Sequence, residues 1–302
     1  MDRKVKLLSG LDLSSAIGAE IGALCRPVVT RPEGTVYYID HASTEVLREK
    51  YKHDPNVDIN ALVDVDAVWG QQSLSEALGG KLVDYVIASH VVEHVPDLVG
   101  WLAEIGAILK PGGQLRLAVP DKRFTFDLMR EDSRISDVLG AHVVRARIPQ
   151  PQAIIDHIVN VRYDVSAGEI WAGICSNGRP AHTFADAIAS AQDAFANGNY
   201  HDVHVWVFTP LTFARICRQL VENGLLSMSC ANFFDTARNE LEFQVHMQQC
   251  ADVQLAAASW ARMEAAAMPV PPPANPAVPL PEGRAAPSLL QRVVRRLGRV
   301  LS

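Results

Sequence analysis

The sequence predicts an α/β fold, in which helices cover both faces of a mainly parallel β-sheet. Residues 84–88 form a short apolar run bounded by charged residues, which is typical of a parallel strand buried on both faces. Residues 97–109 place apolar side chains on one stripe of a helix, and a Pro-Gly-Gly turn at 111–113 ends it before a second apolar run that reaches Pro120. A strand, a helix and a strand in this order form a βαβ unit, whose crossover is right-handed.

The chain before this unit shows the same alternation of strands and helices. Residues 35–40 are β-branched and aromatic and end on Asp40, which indicates a strand. Ser43 is a suitable N-cap for a helix over residues 44–51. The other predicted elements are a helix or arm over residues 1–15, a helix-like stretch at 14–17, a strand-to-helix turn at 20–23, a third strand at 60–65 and a helix at 73–78.

After Pro120 the regular alternation stops, which predicts a long insertion over about residues 121–205. This insertion is much longer than an ordinary connection, and such insertions carry lids or binding sites. The predicted elements that follow are an N-capped helix at 209–222, two strands at 225–234 and 241–247 that pair antiparallel, and an Ala-rich helix at 251–268.

A chain of 302 residues can form one large α/β domain with additions or two small domains, and we predict one large domain with a tail. Residues 1–267 form the α/β domain, residues 268–287 a Pro/Ala-rich linker, and residues 288–302 a helix with arginines opposite a Leu/Val stripe. Basic amphipathic helices of this kind bind anionic membrane surfaces, and the alternatives are docking onto a protein partner and packing against the parent domain. The formal net charge of −6 argues against a nucleic-acid partner.

A candidate ligand site lies at the predicted turn around Glu20. Glycines on both sides, Gly18 and Gly22, permit a ligand to approach the backbone closely, and amides at a helix start can receive a carboxylate or phosphate. Asp40 lies 20 residues after Glu20 at the end of the next strand, where a carboxylate can accept both hydroxyls of a ribose. An ordinary tight turn is the alternative.

Several motifs together resemble the class I S-adenosylmethionine (SAM)-dependent methyltransferases over about residues 15–250. They are G-A-E-I-G-A-L at 18–24, Y-Y-I-D-H at 37–41, A-S-H-V-V-E-H-V-P-D at 88–97, P-D-K-R-F-T-F-D at 120–127 and H-V-W-V-F-T-P at 204–210. The resemblance is to a type 11-like group associated with bacterial glycan and surface-polysaccharide modification. It implies a Rossmann-like seven-stranded methyltransferase sheet with helices on both faces and a long insertion after the fifth strand.

The resemblance also implies cofactor contacts at the ends of four strands. By this resemblance, the methionine part of SAM would contact Glu20, Gly22 and Ala23, and the ribose would contact Asp40. The adenine would contact Asp66 and Ala67, and the methyl-transfer side would be lined by Ser89 and His90. S-Adenosylhomocysteine would be the product. The sequence departs from the usual glycine-rich first motif, because Leu24 and Arg26 stand where two glycines would fall.

Acceptor residues are expected after the fifth strand and in the insertion. A hydroxyl acceptor benefits from a general base, for which Asp121, His182 and His204 are candidates. The alternating pattern of residues 201–206 predicts a strand that puts His204 and Trp206 on one face. Candidate acceptor-binding residues are Arg123, Asp127, Arg130 and Trp206. The alternatives are a salt-bridged loop and histidines with structural hydrogen bonds.

The spacing of His90 and His94 is compatible with a metal, but the sequence shows no third ligand, so no metal is predicted. The function implied by the resemblance is O-methylation of a saccharide hydroxyl on a bacterial surface glycan or its lipid-linked precursor. The alternatives are a noncatalytic adaptor that docks a glycosyltransferase and a small-molecule or lipid methyltransferase. Scattered cysteines predict a cytoplasmic protein, and the basic tail predicts attachment to the inner membrane surface.

Overall fold

A computed structural model describes residues 2–70, 72–174 and 178–268. The predicted amphipathic helix at 288–302 and all but the first residue of the predicted linker lie outside the described residues. Within those ranges, no helix combines the length and the apolar character that crossing a bilayer requires.

The core of the fold is a seven-stranded mixed sheet. In chain order, the strands of the protein are β1 (Ile17–Ile21), β2 (Thr35–Asp40), β3 (Ala67–Val68), β4 (Val83–Ser89), β5 (Leu109–Pro120), β6 (Arg162–Tyr163), β7 (Arg179–Pro180), β8 (Met228–Phe234) and β9 (Glu242–Gln249). The large sheet has the order β3-β2-β1-β4-β5-β9-β8, and β6 and β7 form a separate two-stranded sheet. Strands β1 to β5 pair in parallel, whereas β9 pairs antiparallel with both β5 and β8. The predicted fold class is confirmed.

Helices and loops cover both faces of this sheet. The helices are α1 (Arg3–Leu8), α2 (Thr44–Tyr51), α3 (Leu74–Ala77), α4 (Leu98–Ile108), α5 (Ile135–Val143), α6 (Pro151–Asn160), α7 (Ala167–Trp171), α8 (Phe184–Asn197), α9 (Pro210–Glu222) and α10 (Val253–Ala266). Alternate residues of β4 point into two different cores. Val86 and Ala88 join the larger core, which contains α4, α9 and α10, whereas Tyr85 and Ile87 pack with Leu7 of α1.

Local signals placed several helices correctly. Ser43 caps α2 by accepting a hydrogen bond from the amide of Val46, as predicted. Ser73 and Thr209 form capping boxes at the starts of α3 and α9. Each cap satisfies amides that the first turn of a helix would leave without a partner, so the signal needs no tertiary context. The antiparallel pairing of the last two strands of the sheet is also confirmed.

Other predicted boundaries are wrong because pairing between strands overrides the local pattern. The predicted helix-like stretch at 14–17 is not helical: a turn ends at residue 15 and β1 begins at Ile17, whose amide donates to Asp84. The helix predicted over 97–109 is confirmed as α4, but the Pro-Gly-Gly segment at 111–113 is not a separate turn before the strand. It lies inside β5, at an irregularity between the pairs Val83–Leu109 and Tyr85–Gln114. The third strand is two residues long and starts at Ala67, after the predicted segment 60–65.

The predicted strand at residues 201–206 is not formed, although its residues are described. This segment is held by other contacts: the amides of Val205 and Trp206 both donate to the carbonyl of Glu93. The connection between β5 and α9 holds four helices, α5 to α8, and the small β6–β7 sheet. Its role as an acceptor lid stays a prediction.

Candidate cofactor and acceptor site

The strand order creates a crevice at one edge of the sheet. From β1 the chain moves to β2 and then β3 on one side, and it returns to place β4 and β5 on the other side of β1. In open α/β sheets, ligands bind outside the carboxyl ends of the strands where the order reverses, which here is between β1 and β4. Gly22 follows β1 at this point and His90 follows β4.

The backbone at this crevice adopts the left-handed conformation at three positions. The φ angles are +71° at Gly22, +50° at Leu24 and +55° at His90. Glycine takes such angles freely, whereas side chains with a Cβ rarely do. A Cβ at Gly22 would lie 3.0 Å from Cγ2 of Val91, so Gly22 serves close packing as well as conformation. Leu24, which replaces a glycine of the usual motif, sits at one of the strained positions.

Glu20 holds the loop that follows β1. Its carboxylate accepts hydrogen bonds from the amides of Val28 at 2.7 Å and Val29 at 3.1 Å, and its side chain is buried. Burial raises the pKa of Glu20 to about 7, although the two amides oppose this shift. Residues 22–34, all described, contain no α-helix. The predicted strand-to-helix turn is therefore wrong, and no helix N-terminus is available there for an anion.

The neighbouring cofactor predictions differ in how well their positions fit. Ala23 packs in the apolar core beside Val29, so its side chain faces inward. Asp40 ends β2, and its Oδ1 accepts from the amide of His41 at 2.7 Å, which fixes the carboxylate at the carboxyl edge. This position fits the hydroxyls of a ribose. The contacts of both residues with a cofactor stay predictions.

Asp66 and Ala67 do not lie after the third strand, as predicted. Asp66 precedes β3, and its carboxylate accepts from the amide of Tyr38 at 2.7 Å and from the guanidinium of Arg31 at 2.9 Å. Ala67 is the first residue of the strand. Trp69 is the residue that follows β3, and its indole donates to Glu104 at 3.0 Å. The short strand shifts the edge position to Trp69.

Ser89 ends β4, and His90, the next residue, contacts two acidic side chains. Its Nε2 is hydrogen-bonded to Oε2 of Glu242 at 2.6 Å, and its Nδ1 lies 3.6 Å from Oε1 of Glu93. Glu242 also pairs with Arg3. Burial alone would raise the pKa of Glu242, but His90 and Arg3 outweigh it and hold the pKa at about 2. The His90 ring is thus fixed on the β4 side of the crevice.

Sequence reasoning missed Glu242. It lies far along the chain, at the start of β9, and no local pattern connects it to His90. The antiparallel pairing of β9 with β5 places Glu242 opposite Pro120, next to the carboxyl end of β4. The one sequence signal for Glu242 is its position as the acidic residue at the start of the predicted strand that pairs antiparallel at the end of the sheet.

Asp121 and Arg123 form a buried network just after β5. Asp121 is fully buried, accepts from Thr236 at 2.7 Å and receives both Nε and Nη2 of Arg123. Arg123 also donates to the carbonyl of Met268. The salt-bridged alternative therefore describes their geometry, and their roles as a base and an acceptor ligand stay predictions without structural support.

Asp127, Arg130 and His204 form a second buried network. Asp127 binds Nη1 of Arg130 at 2.9 Å and Nδ1 of His204 at 2.6 Å, and all three side chains are buried. Burial alone would raise the pKa of Asp127, but the charges of His204 and Arg130 outweigh it and lower that pKa. Asp127 and Arg130 match the internal ion pair that was the alternative to acceptor binding.

The other two acceptor predictions lie apart from this network. Trp206 is buried, and its indole donates to the carbonyl of Val95 at 2.6 Å, so its ring is part of the core. His182 follows β7, is partly exposed and lies with its ring centre 6.2 Å from that of Tyr163. Burial lowers the pKa of His182.

The sheet order and its edge crevice define an open Rossmann-like α/β domain. Residues 16–115 match a protein-family model described as a methyltransferase domain. This part of the chain is therefore similar to a methyltransferase domain, and SAM is the cofactor that the resemblance implies. The open backbone at Gly22 and the carboxylate of Asp40 fit this cofactor at the two strand ends beside the crevice.

Similar proteins were found by sequence and by structure. A ubiquinone biosynthesis O-methyltransferase of Rhodopseudomonas palustris (strain BisB18) is 30% identical over 122 residues, which cover 40% of this chain and 44% of that protein. An uncharacterized 37.1 kDa protein in transposon TN4556 of Streptomyces fradiae is 30% identical over 115 residues, which cover 37% and 30%. The chain thus spans less than half the length of these curated relatives.

Among solved structures, magnesium protoporphyrin IX methyltransferase from Synechocystis PCC 6803 with bound S-adenosylhomocysteine aligns over 82% of this chain and 80% of its own, with a TM-score of 0.37 and 11% identity.

Proposed function

We propose that this protein is a SAM-dependent methyltransferase that O-methylates a saccharide hydroxyl of a bacterial surface glycan or of its lipid-linked precursor. The match of residues 16–115 to the methyltransferase domain family carries the reaction class. The name of the Rhodopseudomonas relative, an O-methyltransferase, supports an oxygen acceptor. The saccharide as the acceptor class rests on the resemblance of the motifs at 88–97 and 120–127 to glycan-modifying enzymes.

The residues at the switch point have distinct roles in this proposal. SAM, when bound, supplies an electrophilic methyl group. Gly22 lets the backbone approach the cofactor, and Asp40 accepts hydrogen bonds from the ribose hydroxyls. His90, fixed by Glu242, lines the side from which the acceptor approaches. Displacement at a methyl group depends mainly on proximity and alignment, so rigid placement of these residues is their contribution.

A general base for the acceptor hydroxyl is expected among the three candidates. Asp121 and His204 are buried and engaged in ion pairs. His182 is partly exposed, so an acceptor is able to reach its imidazole, although burial lowers the pKa of that ring. We propose His182 as the base, on the grounds of its partial exposure.

A small-molecule or lipid acceptor is the second candidate function. The observation that favours it is the name of the Rhodopseudomonas relative, which is an O-methyltransferase of ubiquinone biosynthesis. The basic, amphipathic pattern of residues 288–302 would serve either function, because lipid-linked glycans and isoprenoid lipids are both found at membranes.

The first experiment measures SAM binding by calorimetry. Replacing Asp40 with Ala removes the ribose hydrogen bonds, each worth about 1.5–3 kcal/mol for a charged acceptor, so SAM affinity should fall at least about tenfold. Glu49→Ala is the matched control, because Glu49 is an exposed carboxylate on the following helix. Equal SAM affinity in both folded variants would show that Asp40 does not bind the ribose.

The second experiment identifies the acceptor. The protein is incubated with SAM carrying a labelled methyl group and, separately, with a lipid-linked glycan extract, a free-saccharide pool and a quinol-containing lipid extract. Mass spectrometry of the products locates the label. Label on a sugar oxygen supports the proposal, and label in the quinol fraction alone supports the second candidate. SAM binding without any labelled product would favour the adaptor that docks a glycosyltransferase.

A further inference from the structure

Glu93 carries a buried carboxylate without a hydrogen bond among the described residues. Its side chain is 1% exposed, and neither Oε1 nor Oε2 accepts a hydrogen bond there. Two histidine nitrogens lie at longer range from Oε1, namely Nδ1 of His90 at 3.6 Å and Nε2 of His94 at 3.9 Å. A buried carboxylate is costly unless a cation or a donor compensates its charge, so this position calls for a ligand.

Two histidines beside Glu93 are oriented by aspartates. Nδ1 of His94 lies 3.0 Å from Asp202, and Nδ1 of His204 lies 2.6 Å from Asp127. In both rings the aspartate lies on the Nδ1 side, and Nε2 of His94 lies 3.9 Å from Oε1 of Glu93. A histidine that ligates a metal is usually held in this way, with its other nitrogen on a carboxylate.

The backbone fixes these three side chains relative to one another. Glu93 and His94 belong to one 3₁₀ turn, Val92–His94, after β4. The carbonyl of Glu93 accepts from the amides of Val205 at 2.7 Å and Trp206 at 3.1 Å, which brings the segment containing His204 against that turn. The rings of His94 and His204 meet edge to face, with centres 4.7 Å apart. The cluster is thus built from two segments that are distant in sequence and joined by backbone hydrogen bonds.

We propose that Glu93, His94 and His204 bind one divalent transition-metal ion, and that the set fits Zn²⁺. One donor atom from each of the three lies within 4.8 Å of the other two. Donors around tetrahedral zinc are about 3.3 Å apart at bond lengths of 2.0–2.2 Å, so small side-chain rotations close the site. Two imidazoles and one carboxylate leave a fourth position for water or another oxygen ligand.

The donor types decide between classes of cation. Mg²⁺ and Ca²⁺ prefer oxygen ligands, and this cluster offers two imidazole nitrogens and one carboxylate. Imidazole with carboxylate suits Zn²⁺ and the neighbouring first-row ions, of which Co²⁺ is useful because its visible spectrum reports coordination. The site adjoins His90 on the β4 side of the crevice, but its metal binding needs neither SAM nor an acceptor.

The test uses the full chain, stripped with a chelator and titrated with Zn²⁺ against a chromophoric competitor. The wild type should bind one Zn²⁺ per chain, and Co²⁺ should give visible bands that Zn²⁺ abolishes. Glu93→Gln and His94→Gln should each weaken Zn²⁺ at least tenfold. His201→Gln is the matched control, because His201 is also paired with an aspartate, Asp193 at 2.8 Å, but lies outside the cluster. It should bind Zn²⁺ as the wild type does.

Circular dichroism establishes that each variant is folded, and Glu93→Gln keeps the side-chain volume so that folding is preserved. A second readout is stability: Zn²⁺ should raise the urea midpoint of the wild type and of His201→Gln but not that of Glu93→Gln. Absence of stoichiometric Zn²⁺ in the wild type, or equal Zn²⁺ affinity in Glu93→Gln, His94→Gln and wild type, would overturn the proposal. Because no step uses SAM, failure here leaves the methyltransferase proposal intact.

Discussion

Glu242 offers a quantitative test of the contacts that fix His90. It is 2% exposed and binds His90 on one side and Arg3 on the other, so it joins α1 and the end of β4 to β9. Replacing Glu242 with Gln keeps the volume and removes the negative charge. We expect this substitution to destabilise the protein strongly at neutral pH and much less in acid.

The size and sign follow from the pKa of Glu242, which lies at about 2 instead of its ordinary value of 4.5. A lowered pKa means that the folded state favours the ionised form, so the stabilisation is complete above pH 4.5 and disappears as the pH falls towards 2. The difference corresponds to about 3 kcal/mol at pH 7. Between pH 7 and pH 3, the gap in unfolding free energy between wild type and variant should shrink by about 2 kcal/mol.

The assay is urea unfolding at pH 7, 5, 4 and 3 for wild type, Glu242→Gln and a control, Glu33→Gln. The pKa of Glu33 is also lowered to about 2, by its hydrogen bond to Lys4, but its side chain is 38% exposed. Solvent screens such a pair, so the control should change stability by less than about 1 kcal/mol and respond to salt. The comparison separates burial from pairing, because the two carboxyl groups share the same lowered pKa.

Parallel plots of unfolding free energy against pH for the wild type and Glu242→Gln would refute this reasoning. If the unfolding free energies of wild type and Glu242→Gln differ by a constant amount from pH 7 to pH 3, the ionised carboxylate is not the source of the stabilisation. A loss in Glu33→Gln as large as that in Glu242→Gln would show that burial does not set the magnitude.

Three further predictions concern the core, the N-terminal helix and the tail. Gly18→Ala should destabilise the protein by about 1–3 kcal/mol in urea unfolding, because its Cβ would lie 2.0 Å from Cζ of Tyr85. Tyr85→Phe should be neutral or stabilising, because it removes a buried hydroxyl that has no hydrogen bond among the described residues. A larger loss of stability in Tyr85→Phe than in Gly18→Ala would contradict this packing. Arg116→Met should cost about 2–3 kcal/mol, since Nη1 of Arg116 donates to the carbonyl of Leu7 at 2.7 Å, and an unchanged urea midpoint would argue against this anchor for α1. Deleting residues 288–302 should release the protein from anionic liposomes and leave SAM affinity unchanged, with salt weakening the attachment of the full chain; retention of the shortened chain would refute the membrane proposal.

The sequence predicted those parts of the fold whose signals are local. Ser43 and Thr209 carry their own capping geometry, and the helices they start lie where expected. The stretch Lys110–Gly113 was predicted to separate the helix from the strand, because Pro and Gly end helices. The same residues can form a bulge-like irregularity within a strand when β4 pairs beside them. The missing helix after β1 has a similar cause. Glu20 takes the amides of Val28 and Val29, so the loop is held by a buried carboxylate instead of by helical hydrogen bonds.

The site was harder to predict because its residues act through partners distant in sequence. Alternation in residues 201–206 suggested a strand that would present His204 and Trp206 to a sugar, but the segment instead donates its amides to the carbonyl of Glu93 and buries both rings. The prediction of no metal depended on the absence of a third ligand near His94. In our proposal the third ligand is His204, which no spacing rule connects to the turn after β4. The motif around Glu93 contains two of the three proposed ligands, Glu93 and His94, and only the packing of the insertion against that turn brings in the third.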